Sequence, residues 1–194
     1  MSPATTPIAL RAWVDESASV HDLDPGAYIL AAAIGPAHLE DDTRHSMRSL
    51  RLPGQNKLHW RDEDERRRGV IATTIAALEH TYLVVVREGC ASDNLKDRRN
   101  KTIERLLPEL ELLGVTQVTF ESRGSADDKR DLDLVQALRG RGRLGPAVRI
   151  HHVRGRDEPL LWIPDAVCGA VTNARTTTGE YLDALHERIR LITI

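Results

Sequence analysis

Apolar and polar positions alternate over IALRAWV, residues 8–14, as in a strand. Ile8, Leu10, Ala12 and Val14 share one face, and Trp13 takes the other. The run stops at two adjacent acids, Asp15 and Glu16. HDLDPG reads as a turn, broken by Pro25 and Gly26, and AYILAAAI, residues 27–34, as a second strand antiparallel to the first. Residues 36–56 are polar, contain Pro53 and Gly54, and read as a long loop with room for a short helix. KLHW, residues 57–60, reads as a short strand. Asp62 and Glu65 then have the spacing of a capping box, ahead of a helix with Val70, Ile71, Thr74, Ile75 and Leu78 in its stripe.

YLVVV, residues 82–86, is apolar throughout, as in a strand covered on both faces. The spacing predicts a helix over 94–113, with Pro108 as an awkward interior residue and Gly114 as its stop. VTQVTFE, residues 115–121, alternates again: Val118 and Phe120 face one way, Thr119 and Glu121 the other. A polar helix follows over 126–139, then the loop RGRGRLGP, then a strand at 147–153. Residues 163–174 and 179–192 read as two helices, the second opened by Thr177 and Glu180 as another capping box. The expectation is an α/β chain forming one domain over residues 1–194, with a mixed sheet of about five strands and helices packed on both faces.

Composition narrows the chemistry. The 194 residues are 41% apolar and 29% charged, ordinary for a globular protein. A net charge of −2 gives no global attraction to polyanions, so a nucleic-acid site has to be a local basic patch. Aromatics at 4% argue against a base-stacking platform. The two cysteines, Cys90 and Cys168, lie in no Cys-x-x-Cys pattern, which argues against structural zinc and fits free thiols in a reducing cytoplasm. No secretory signal and no membrane-length apolar run is present, so no membrane partner is expected. No GxxxxGK loop is present to cradle a nucleotide phosphate. Oligomeric state leaves no mark in the pattern.

Three acids stand out because each abuts an apolar segment at an element end. Asp15 ends the first strand, Glu121 ends the strand after the second helix, and Asp165 lies in the first turn of a late helix, after Pro164. Singly, each has a plain structural reading: a solvated strand end, a turn residue before Ser122-Arg123-Gly124, and an acid at the positive end of a helix. Together they are a candidate ligand set for Mg²⁺ or Mn²⁺, since hard cations take carboxylate oxygens and can activate water for phosphodiester cleavage. His59 is a candidate proton carrier or phosphate contact, or else caps the core together with Trp60. Ser17 could orient Asp15. Arg139, Arg141 and Arg143, in a glycine-rich loop, are the first candidates for phosphate contacts; Arg66-Arg67-Arg68 and residues 95–101 are further basic runs. Trp13, Trp60 and Trp162 flank these motifs and read as core residues.

The series WVDES, KLHW, VTFESR and LLWIPDAVCGAV, in this order over nearly the whole chain, resembles domain-of-unknown-function family 3800. That resemblance implies a ribonuclease-H-like fold and metal-dependent nuclease chemistry, with Asp15, Glu121 and Asp165 as ligands and nucleic acid as partner. The chain departs from the family pattern at several points. Ala18 replaces a glycine, Glu121 stands where aspartate is common, and Pro164 replaces a small residue before Asp165. A fourth acid has no clear equivalent: Lys57 occupies a place where related chains often carry one, leaving Glu16 or Glu63 to supply it. The alternative is therefore a catalytically inactive module of the same fold that binds nucleic acid or a protein.

Overall fold

The computed structural model describes residues 8–18, 24, 26–89 and 94–194. Cys90 and most of the HDLDPG turn lie outside them. Six strands form one sheet: β1 (Leu10–Ala18), β2 (Tyr28–Pro36), β3 (Thr81–Arg87), β4 (Gln117–Glu121), β5 (Arg149–Val153) and β6 (Ile189–Thr193), in the order β5-β4-β1-β2-β3-β6. β2 runs antiparallel to both β1 and β3, while β4 beside β1, β5 beside β4 and β6 beside β3 are parallel.

The alternation in the sequence builds two core layers, one on each face of the sheet. Trp13, Ile29, Ala31, Ala33, Val84 and Val86 pack toward α2 (Glu65–Ala77) and α5 (Trp162–Thr176). Ala12, Val14, Leu30, Val85, Val118 and Phe120 pack toward α3 (Leu95–Leu112) and α4 (Ser125–Gly140). β2 and β3 are apolar on both sides because both of their faces are covered. Pro108 is accommodated inside α3, and Gly114, at φ +82°, turns the chain out of that helix. Cys168 is a free, buried thiol.

The helix allowed for in residues 36–56 is present as α1 (Glu40–Ser49). Three local expectations are corrected. KLHW is not a strand: residues 57–59 are irregular and Trp60–Asp62 form one 3₁₀ turn. The cap of α2 is Asp64, whose carboxylate accepts from Arg67 N at 2.8 Å, rather than Asp62. Residues 179–192 are not one helix: α6 (Glu180–Asp183) is a single turn, Thr178 rather than Thr177 accepts from Glu180 N, and the chain goes on to form β6 on the open edge of β3.

Candidate active site

The parallel pairing of β1 with β4 sets Ala12 opposite Val118 and Val14 opposite Phe120, so one further step places Asp15 beside Glu121. Both project from the sheet face that carries Trp13 and Thr119, because side chains alternate along a strand. α5 packs across this face, and Asp165 lies in its first turn. Pro164 is the third residue of α5, where its missing N–H leaves no helical bond unmade. Gly169, one turn further along α5, lies so close to the Trp60 ring that an added Cβ would fall 2.1 Å from Cδ1. This close fit draws the 57–60 segment against the helix, where Trp60 N donates to Asp165 Oδ2 at 2.7 Å. His59 Nδ1 lies 3.1 and 3.2 Å from the two Asp165 oxygens. Lys57 Nζ reaches Glu121 Oε1 at 2.9 Å. Asp15, Lys57, His59, Glu121 and Asp165 therefore meet at the carboxyl ends of two parallel strands.

The electrostatics follow from this crowding. Asp15 keeps some accessible surface, yet protein atoms enclose its carboxyl group on most sides. Burial first, then the charges of Asp165 and Glu121, push the Asp15 carboxyl well above the usual carboxylate range; Lys57 pulls it part of the way back. The closeness of the Glu121 carboxyl adds to the upward push on Asp15. Burial opposes the Lys57 charge, but its bond to Glu121 and the fields of Asp165 and Asp15 outweigh that, and its pKa is raised. The hydrogen bond to Asp165 likewise raises His59 against the opposing effect of burial. Beneath the cluster, the Cys168 thiol lies 3.5 Å from the Asp15 carbonyl oxygen, and burial holds its pKa well above the ordinary thiol value.

The oxygen donors suit a hard cation in type. The mutual repulsion of the carboxyls is what such a cation would relieve. Even so, among the described residues no three His, Cys, Asp or Glu side chains are gathered into a ready metal-binding group. Lys57 and His59 supply the balancing positive charge. Neither proposed source of a fourth acid reaches the cluster. Glu16 points to the opposite face, as strand alternation requires, and pairs there with Arg99 and with Arg123 Nε at 2.8 Å. Glu63 is buried between Gln55 and Arg67. The cluster therefore offers three carboxyls, and neither Glu16 nor Glu63 adds a fourth.

Other expectations sort by position. Asp15 is oriented by the Glu16 backbone N–H, at 2.8 Å, while Ser17 lines a cleft of about 620 Å³ beside His59, Trp60 and Asp165. All three tryptophans are buried in the core, as expected. Arg139, Arg141 and Arg143 are not brought to the acids. α4 leaves the sheet near Glu121 and returns them to its other end, about 24 Å away along the helix; there Arg141 and Arg143 lie near Glu104 and Arg139 bonds Val148 O. The basic run at 95–101 is partly internal, with Arg98 and Arg99 buried. A second Arg-Gly-Arg, residues 154–156, does reach the site. It lines a cleft of about 380 Å³ with Lys57, Glu121 and Ser122. Its only sequence signal is its place directly after β5.

Comparisons with known proteins bear on the fold. No protein-family model matches the chain, and no curated protein matches it in sequence. Solved structures do match. Ribonuclease HII of Archaeoglobus fulgidus, solved in complex with PCNA, superposes with a TM-score of 0.53 at 15% identity, over 92% of this chain and 77% of that one. Ribonuclease H2 of Pyrococcus horikoshii gives 0.50 at 12%, over 92% and 76%. Bst-RNase HIII, in complex with Mn²⁺, gives 0.51 at 12%, over 92% of this chain and 54% of that one. The fold is ribonuclease-H-like.

Proposed function

We propose that the chain is a single ribonuclease-H-like domain, akin to domain-of-unknown-function family 3800, that hydrolyses phosphodiesters of nucleic acid with the help of one divalent cation, Mg²⁺ or Mn²⁺. The observation that carries this reading is the meeting of Asp15, Glu121 and Asp165 at the carboxyl ends of β1 and β4, where each carboxyl disfavours ionisation of Asp15. Three neighbours in fold are ribonucleases H, and one of them was solved with Mn²⁺. In this reading Asp15, Glu121 and Asp165 hold the cation, which when bound supplies Lewis acidity and an activated water. His59, fixed on Asp165 and still partly open to solvent, donates or accepts a proton at the leaving or attacking oxygen. Lys57 neutralises Glu121 where a fourth acid would call for a second ion.

The Lys57–Glu121 pair also favours a second reading, a metal-free module of the same fold that binds nucleic acid. Calorimetric titration with Mn²⁺ separates the two. The nuclease reading expects one ion per chain, binding lost in Asp15→Asn, and Mn²⁺-dependent cleavage of RNA, DNA or hybrid oligonucleotides. A folded protein that takes up no Mn²⁺ and leaves every oligonucleotide intact would put the binding module in its place.

A further inference from the structure

The loop that follows β5 is built against the acid cluster. An added Cβ at Gly155 would lie 2.4 Å from Glu121 Oε1, so a side chain there would push the carboxylate from its place beside Lys57. Three hydrogen bonds fix the loop there. Trp162 Nε1 donates to Gly155 O at 2.6 Å, Ser122 N donates to Val153 O at 2.9 Å, and Asp157 N closes a turn on Arg154 O at 2.8 Å. The residues on either side of the glycine, Arg154 and Arg156, are exposed and line the same cleft as Lys57. Arg156 Nε is 3.7 Å from Asp157 Oδ1, an open surface pair that leaves the guanidinium accessible. Three cations therefore border a cleft next to Glu121, and Glu121 already holds Lys57.

We infer that the Arg154-Gly155-Arg156 loop, with Lys57, is a binding site for a backbone phosphate of a nucleic-acid strand, next to the phosphate presented to the carboxylates. The chemistry is that of phosphate recognition: guanidinium forks take phosphate oxygens in pairs. A cleft of this size accepts a phosphate with part of its sugar, and its open side lets a chain continue past it. The site positions substrate and takes no part in the bond exchange. This inference rests on the nuclease reading for the identity of the strand, but not on the presence of a metal.

The test is fluorescence-anisotropy binding of a labelled RNA–DNA hybrid in EDTA, repeated across a salt series. It compares the wild type, Arg154→Ala/Arg156→Ala, the same pair changed to Lys, and Arg141→Ala/Arg143→Ala. Removal of both site arginines should weaken binding about tenfold and reduce the slope of log K against log salt by about one, for the one phosphate no longer neutralised. The lysine pair should recover the slope, and the distant Arg141/Arg143 pair should behave as wild type. Equal affinity and slope in the wild type and the Arg154/Arg156 alanine pair would overturn the assignment while leaving the nuclease reading in place. So would inorganic phosphate displacing the hybrid at equal concentration, since the cleft would then serve a free anion. A folded wild type that binds no oligonucleotide at any salt would overturn the assignment and the nuclease reading together.

Discussion

At the scale of single residues, the acid cluster holds unfavourable electrostatics. Asp15 is an enclosed carboxyl facing two others, and its pKa is raised by burial and by their charges. The sign of the consequence is definite. An unfolded aspartate ionises near pH 4, and the folded one only well above that. The folded state therefore holds the extra proton between those values, and stability falls as pH rises through them. Asp15→Asn removes the charge and keeps the shape. We expect it to raise the melting temperature of the metal-free protein at pH 7 while abolishing Mn²⁺ uptake and cleavage, a trade of stability for function. Thermal unfolding with and without Mn²⁺ checks both halves. A variant that melts below wild type in the absence of metal would mean that Asp15 is a structural acid.

At the scale of elements, β1 carries the site on one face and its anchor on the other. Glu16 emerges opposite Asp15 and meets Arg99 of α3, which grips Asp131 of α4 by two bonds of 3.0 and 2.6 Å. Asp131 also takes His152 Nε2 at 2.9 Å, and these bonds hold its pKa down against burial. Arg99 and Asp131 are both buried, and removing one member of such a pair strands the other. Arg99→Met should cost about 3 kcal/mol. Arg123→Met, at the more exposed arginine on the same Glu16, should cost under about 1 kcal/mol. Urea denaturation measures both, and equal losses would mean that the buried network does not hold the end of β1. This anchor explains why the sequence is only partly legible here. LKDRRNK looks like a solvated helix face, and only tertiary pairing turns Arg99 inward. α1 is hidden for a related reason: its buried stripe is Glu40, Thr43, Met47 and Leu50, with Glu40 paired to Arg11 and Arg44, so apolar periodicity is nearly absent. β6 misleads in the opposite way. Leu182, Leu185, Ile189 and Ile192 have helical spacing, but pairing with the open edge of β3 outweighs that local preference.

At the scale of the whole molecule, the regular alternation of β1 and β4 makes their faces, and hence Asp15 and Glu121, readable from the order of residues alone. Lys57 and Arg154-Gly155-Arg156 are not readable as site residues, because their positions depend on which strands become neighbours and on how two irregular segments lie over the sheet. His80 is equally invisible in the pattern, and it bears on the stability of the entire fold. Its ring is buried on Gly35, where an added Cβ would fall 2.2 Å from Nε2, and it lies 6.3 Å from the Trp13 ring. Its Nδ1 has no hydrogen-bond partner among the described residues. Burial, with the Arg188 charge adding to it, lowers its pKa to about 4. An unfolded histidine takes its proton near pH 6.5, so between about 6.5 and 4 only the unfolded chain binds that proton. The stability due to a neutral His80 is complete above pH 6.5 and is lost as the pH falls toward 4, amounting to about 3 kcal/mol. Asp15 acts in the opposite direction, so the wild-type curve alone mixes the two effects. His80→Leu isolates the histidine, since leucine brings no titrating group and leaves no orphaned ring nitrogen. Unfolding free energies at pH 7, 5.5 and 4.5 should fall with pH more steeply in the wild type than in the variant. Parallel curves would mean that the His80 ring gains its proton without opening the fold, and that the junction of β1, β2 and β3 is looser than its packing indicates.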